Sequence, residues 1–133
     1  MGTRCLTYVE NGVGEKLVCI YRQFDGYPSG HGSELAFFLK NMTIVNGIPS
    51  NGPAKIANGA GCLAAQLIAK LKDGVGGIYV YPITTTDAWQ DYEYYVRACV
   101  DKGIEVKVKD YSGNVLFAGN VEDFENFCEA DNG

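Results

Sequence analysis

Strict alternation of apolar and charged residues at positions 104–109 places the strongest constraint on how this chain folds. Three apolar residues alternate there with three charged ones: Ile104, Glu105, Val106, Lys107, Val108 and Lys109. A period of two puts successive side chains on opposite faces of a strand, so one face meets the core and the other meets water. A Ser-Gly-Asn turn at 112–114 joins this strand to a second one at 115–119, which predicts a hairpin.

Other short runs rich in β-branched and aromatic residues predict further strands, at 4–9, 16–24 and 78–83. Asn11, Gly12 and Gly14 connect the first two of these strands in another hairpin. Segment 91–99 alternates well enough for a strand, but the spacing of its Tyr, Val and Cys side chains also fits a helix. Both interpretations of 91–99 stay open.

Apolar residues at helical spacing predict three helices, over residues 34–42, about 60–71 and 121–130. Ser33 caps the first helix, Asp73-Gly74 ends the second, and Asn120 caps the third. A loop rich in turn residues, 46–53, separates the first two helices. The order ββααβββ(β)α contains hairpins and no alternating βαβ series. It predicts one α+β domain over residues 1–133, a mainly antiparallel sheet of about five to six strands with two to three helices packed on one face.

Charge and composition exclude several classes of function. The net charge is −5 with no dense basic run, which argues against a nucleic-acid polymer as partner. The apolar runs are too short to span a bilayer and the N-terminus lacks the apolar stretch of a secretion signal, so we expect a cytoplasmic protein with no membrane partner. Five widely spaced cysteines, four of them in apolar or strand-like surroundings, predict free thiols that are mostly buried, and with one histidine they predict no metal site and no cofactor.

The segment 21–32, YRQFDGYPSGHG, carries the densest set of polar groups. Its candidate ligand-binding residues are Arg22, Gln23, Asp25, Tyr27, Ser29 and His31. The glycines allow close backbone approach, and the segment leads into a helix N-terminus where free amides favour an anion, so it resembles a phosphate cradle. The alternative is an ordered loop in which Asp25 and Ser29 bond nearby amides and Tyr27 packs against the protein.

Two other features are typical of a ligand pocket. Asn58 and Gly59 begin the second helix with little side-chain bulk, which exposes amides to a phosphate or lets the helix pack closely. Tyr79 and Tyr81 share one face of a strand, where they stack a base, pack as half-buried sheet residues or form a subunit contact. The glycine spacing fits neither a dinucleotide-binding nor a P-loop motif.

Four strings carry a family resemblance: MGTR, YRQFDGYPSGHGSELAFFL, NGAGCLAAQLIAKLK and GGIYVYP. In these strings, which cover most of the first 82 residues, the chain resembles a group of small uncharacterised proteins of bacteria and their phages. Small phage proteins of this kind include immune antagonists that sequester nucleotide second messengers. The resemblance implies, by analogy, a sponge for a cyclic ADP-ribose-type or cyclic oligonucleotide signal in the host cytoplasm.

The residues therefore predict a non-catalytic protein that binds a phosphate-containing, nucleotide-like small molecule. We expect the site to include Arg4, Arg22, Gln23, Asp25, Tyr27, Ser29, His31, Asn58, Gly59 and Tyr81, with 58–62 and the tyrosines around Tyr81 facing segment 21–32. Two alternatives remain. One is a small hydrolase or lyase using His31 with Asp25 or Tyr27, and the other is an inhibitor that binds a host enzyme. A homo-oligomer formed through the tyrosine-rich strand is also expected.

Overall fold

A computed structural model describes residues 2–47 and 55–131. Its strands are β1 (Cys5–Glu10), β2 (Lys16–Arg22), β3 (Thr43–Val45), β4 (Ile56–Asn58), β5 (Ile78–Tyr81), β6 (Tyr92–Cys99), β7 (Gly103–Asp110) and β8 (Val115–Asn120). Its helices are α1 (Ser33–Leu39), α2 (Gly59–Leu71) and α3 (Val121–Glu129). The predicted α+β class is confirmed.

The main sheet has six strands in the order β5-β2-β1-β6-β7-β8. The neighbours in this sheet are antiparallel, except that β1 and β6 run parallel at its centre. Segment 92–99 is therefore a strand. Because it lies at the centre of the sheet, both of its faces are partly buried, which explains why its sequence also fits a helix. Its side chains alternate between the helix-covered face (Tyr94, Val96 and Ala98) and the other face (Glu93, Tyr95 and Arg97).

All three helices pack on one face of this sheet, as predicted, and their apolar side chains form one core with it. Leu35 of α1, Leu63 and Leu67 of α2, and Phe124 of α3 have no exposed surface. This face is called the helix face below. The core joins all three helices to the even-numbered residues of β6 and β7, so it holds the domain together by burial of apolar area.

The opposite face of the sheet, called the open face below, is partly covered by the β5–β6 connection, residues 82–91. The Tyr8 hydroxyl donates a hydrogen bond to the Thr85 carbonyl at 2.7 Å, and Ala88 packs on a cluster that includes Leu6 and Tyr21. Every residue of β1 is consequently buried. The sequence does not predict that this connection covers the sheet, because residues 82–91 include few apolar side chains.

Helix α1 begins differently from the expectation. A π-helical turn, Pro28–Gly32, runs directly into α1, and Gly32 already has helical backbone angles. Ser33 is therefore not the cap, and its hydroxyl instead donates to the Pro28 carbonyl at 3.4 Å. Proline suits the first turn of a helix because that turn leaves its N–H groups unpaired in any case.

Helix α1 ends at Leu39, three residues before the predicted end at Met42, whereas the boundaries of α2 and α3 agree with the predictions to within a residue. Helix α2 ends at Leu71, as its apolar stripe indicates. Asn120 caps α3, since its side-chain oxygen accepts a hydrogen bond from the Asp123 amide at 2.8 Å. The predicted loop 46–53 falls largely on 48–54, which lie outside the described residues, and its flanks pair as the short parallel strands β3 and β4.

The five cysteines are free thiols, and Cys5, Cys19 and Cys128 are buried as expected. Within residues 2–47 and 55–131, no helix combines the length and apolar character needed to cross a membrane.

Candidate functional site

The inner side of segment 21–32 is packed into the protein. A Cβ added at Gly26 would lie 2.8 Å from the Arg4 carbonyl carbon, and one at Gly30 would lie 2.6 Å from the Asp25 carbonyl oxygen. At Gly32 it would lie 2.8 Å from the Cys128 sulfur. These glycines therefore permit close contacts within the protein rather than with a ligand.

His31, near the end of this segment, is fully buried and has no exposed surface. Its Nε2 is 2.7 Å from the Thr7 hydroxyl and its Nδ1 is 3.3 Å from Arg22 Nη1. Burial, and then the charge of Arg22, lower the pKa of His31 to about 3. The imidazole is neutral at physiological pH, and because arginine only donates, Nδ1 accepts from Arg22 while Nε2 donates to Thr7.

Arg22 is the residue of this segment that links the interior to the surface. Its Nε donates to the Phe24 carbonyl at 2.8 Å, and its Nη1 also pairs with Glu34. These contacts hold the guanidinium in one position with 16% of the side chain exposed. No hydrogen bond within the described residues uses its Nη2. Arg22 therefore presents a fixed cation with an unused donor.

Two depressions that share Arg22, Leu71 and Asp73 lie above this guanidinium, with volumes of about 240 and 610 Å³. We call them together the Arg22 groove. The smaller depression adds Phe24 and Asp25, with the glycine turn before β5. The larger adds side chains from α1 and the end of α2, namely Ser33, Glu34, Phe37 and Lys70. The groove therefore lies between the outer side of segment 21–32, α1 and the C-terminal end of α2.

The groove combines three kinds of binding group. Arg22 and Lys70 supply positive charge, which suits a phosphate or carboxylate. Three carboxylates, from Asp25, Glu34 and Asp73, supply acceptors for hydroxyl or amino groups. Phe24 and Phe37 are 54% and 67% exposed and offer faces for a planar ring. The arrangement suits a ligand that carries an anion, hydroxyl groups and an aromatic ring together.

Several residues expected in the site are engaged elsewhere. Among the described residues, the lining of the groove includes Arg22 and Asp25 but not Arg4, Gln23, Tyr27 or Ser29. Their observed bonds hold the loop, and three of them use the backbone amide. The backbone amides of Arg4 and Ser29 donate to the carboxylates of Asp91 and Asp131, the backbone amide of Gln23 donates to the Gly77 carbonyl, and the Tyr27 hydroxyl donates to Asp25. A ligand-binding role for these residues stays a prediction.

The structure corrects the expected arrangement of three facing segments. Asn58 and Gly59 begin α2, whereas the groove is lined by its other end, about 18 Å away at 1.5 Å per residue. The Asn58 side chain instead accepts from the Gly47 amide at 2.7 Å. Tyr81 pairs with Cys19 on the open face and stacks on Tyr21 with ring centroids 5.0 Å apart. Strand alternation thus places Tyr81 on the opposite side of the sheet from α2.

Phe24, Phe37, Lys70 and Asp73 line the groove but were missed from the sequence. One signal was available for Phe37, because α1 has a single buried stripe and adjacent Phe37 and Phe38 cannot both lie on it. Phe38 is 7% exposed and takes the buried position. Lys70 and Asp73 resemble ordinary residues of a helix end and gave no such signal.

Across residues 2–47 and 55–131, no group of three or more histidine, cysteine, aspartate or glutamate side chains is placed to hold a metal ion. Comparison with known proteins found no matching family model, no matching curated protein and no matching solved structure.

Proposed function

We propose that the protein binds and sequesters a phosphate-containing, nucleotide-like small molecule in the Arg22 groove without chemical turnover. The position of Arg22 carries the proposal: three contacts fix its guanidinium beneath both depressions. A cation fixed before binding loses little conformational entropy when an anion arrives, so its contribution to affinity is large for a single side chain.

The rest of the groove supports a nucleotide over a simple anion. Lys70 adds a second cation and Phe37 offers an aromatic face on the same depression. Asp25 and Asp73 supply acceptors suited to ribose hydroxyls or an amino group. The specific form of the proposal is a cyclic ADP-ribose-type or cyclic oligonucleotide immune signal, held in the host cytoplasm by a phage protein.

We expect no chemical turnover, because His31 is poorly placed to act as a catalytic base. Its ring is buried, both ring nitrogens are engaged, and its lowered pKa makes it a poor proton acceptor at neutral pH. A hydrolase or lyase that uses His31 would require the segment 21–32 to open.

Isothermal titration calorimetry against ADP-ribose derivatives and cyclic dinucleotides tests the proposal. We expect one of these compounds to bind, and chromatography of the ligand after incubation to recover it unchanged. Absence of heat from every compound, with folded protein, contradicts the nucleotide form. Steady loss of the ligand would favour the enzymatic alternative.

Matched variants locate the binding. Lys70→Gln removes a groove cation, and we expect it to weaken binding by roughly five- to tenfold, as loss of a charge-assisted contact does. Lys102→Gln makes the same change of charge on the exposed β6–β7 turn and should leave affinity unaltered. Equal effects from the two variants would indicate a dependence on net charge and not on the groove.

A protein-interaction role is the second candidate, favoured by exposed apolar side chains. Val75 is fully exposed, Trp89 and Tyr111 are 80% exposed, and Val80 on the edge strand β5 is 60% exposed. Exposed aromatic and aliphatic groups are typical of binding surfaces. Stoichiometric capture of one host protein would favour this role, and light scattering tests the expected homo-oligomer.

A further inference from the structure

A second cluster of binding groups lies on the open face, around the ring of Tyr95. Tyr8 and Tyr95, on the adjacent strands β1 and β6, stack with ring centroids 5.0 Å apart. Lys16 Nζ lies 3.9 Å from the Tyr8 centroid and 5.8 Å from that of Tyr95. Lys107 and Lys109 approach from β7, with Nζ atoms 4.8 and 5.2 Å from the Tyr95 centroid. Three ammonium groups therefore converge on one ring from strands on both sides.

These ammonium groups have no anionic partner in the part of the chain that the structure describes, where neither a salt bridge nor a side-chain hydrogen bond involves Lys16, Lys107 or Lys109. Two nearby carboxylates are already engaged. Glu10 pairs with Arg97 at 3.3 Å, and Glu93 accepts from the Tyr95 hydroxyl at 2.7 Å and from Gln90.

Packing alone does not account for this arrangement. A tyrosine ring attracts a cation over its face, and a lysine stem covers apolar surface well. The three ammonium groups, however, carry like charges around two stacked rings and repel one another. An anion held between the ammonium groups would neutralise that repulsion.

A depression of about 170 Å³ gives access to this cluster, with Tyr95, Arg97 and Lys107 in its lining. We propose that the Tyr95 cluster is an anion-binding site for a compact phosphate-rich group of the pyrophosphate or triphosphate class. Lys16, Lys107 and Lys109 would donate to the phosphate oxygens over the stacked tyrosines.

The surroundings favour a compact anion over a long polyanion. Glu10 and Glu105 line the same depression, and the chain has a net charge of −5. An extended nucleic-acid backbone would meet these carboxylates as soon as it passed beyond the lysines. The site is independent of the proposed function, because the Arg22 groove is built from α1 and α2 on the helix face while the Tyr95 cluster is on the open face.

Amide-resolved NMR titration of the whole chain with inorganic pyrophosphate, at low ionic strength, tests the site. We expect the largest shifts at residues 95, 107 and 109, and we expect the apparent Kd to rise with salt. The double variant Lys107→Gln/Lys109→Gln should weaken pyrophosphate binding by roughly tenfold or more, because it removes two charge-assisted contacts. The control variant Lys102→Gln, on the exposed β6–β7 turn, should bind within about twofold of the wild type.

Thermal unfolding separates a binding role from a packing role. In phosphate-free, low-salt buffer we expect Lys107→Gln to leave Tm unchanged or higher, since it relieves repulsion, and to abolish much of the rise in Tm that pyrophosphate causes. A lower Tm with unchanged pyrophosphate affinity would overturn the proposal and assign the lysines to packing. Shifts confined to the Arg22 groove would also overturn it while leaving the proposed function intact, and orthophosphate binding as tightly as pyrophosphate would exclude a polyphosphate ligand.

Discussion

The two sides of segment 21–32 differ in what their residues do. On the inner side, a Cβ added at Gly26 would lie within 3 Å of Arg4 and Cys5, and His31 hydrogen-bonds to Thr7 of β1. The outer side, with Phe24 and Asp25, lines the Arg22 groove, and Phe24 is more than half exposed. Arg22 joins the two sides, because the same guanidinium contacts buried His31 and lines the groove.

A distinctive sequence string therefore need not be a binding motif throughout. Glycines and a histidine beside polar residues suggest a phosphate cradle, yet here they close the end of the sheet. Substitutions on the inner side should therefore unfold the protein, and substitutions on the outer side should change binding alone.

His31→Ala should have the largest effect on stability. The change leaves a cavity and removes the partner of the Thr7 hydroxyl and one of the two partners of Arg22 Nη1, so we expect a loss of about 4 kcal/mol in the free energy of unfolding. Urea denaturation measures it. A loss below about 1 kcal/mol would mean that the inner side is not a packed structure.

Gly26→Ala should cost about 3 kcal/mol, because the added methyl group meets backbone atoms of Arg4 and Cys5 within 3 Å and neither can move easily. Gly61→Ala is the matched control. It lies on α2 with no atom within 4 Å of an added Cβ, so we expect a gain of about 0.5–1 kcal/mol from helix propensity. The comparison fails if both variants shift stability in the same direction.

Acidification should destabilise the fold through His31. Its folded-state pKa of about 3 lies below the ordinary value of 6.5, so between these values the unfolded chain binds the extra proton. Stability is complete above pH 6.5 and should fall by about 2 kcal/mol between pH 7.5 and 5. His31 is the only histidine, so denaturation across this window reports on it. An imidazole NMR signal that titrates near pH 6.5 would contradict its burial.

Phe37→Ala should have the smallest effect on stability, within about 0.5 kcal/mol, because the ring is 67% exposed. On the outer side we expect it to weaken nucleotide binding by about tenfold through loss of ring stacking. Tyr111→Ala removes an aromatic ring that is 80% exposed on the β7–β8 turn and serves as control. Equal affinity in the two variants would remove Phe37 from the site.

The fold was largely predictable because local patterns encode it. Alternation at 104–109, the stripe of α2 and the Asn120 cap are each readable within a few residues, and each agrees with the structure. The parallel pairing of β1 with β6 was not predictable, because it joins residues that are far apart in the chain. Neither strand carries a local mark of which neighbour it will pair with.

The candidate site was less predictable than the fold. Arg22 and Asp25 were named from the sequence and line the groove, but the far end of α2 and Phe37 come from segments that only the tertiary structure brings near them. Tyr81 was named from the sequence but does not line the groove. It does stack, as its aromatic ring suggests, but on Tyr21 of the neighbouring strand.

The parallel contact between β1 and β6 has a consequence for synthesis of the chain. The first two strands can form their hairpin as soon as β2 has emerged, but the other edge of β1 stays unpaired until β6 is made. An exposed strand edge of this kind pairs readily with other chains. Truncated products that end before residue 92 should therefore aggregate, and the full chain should fold slowly for its size because its central pairing spans most of its length.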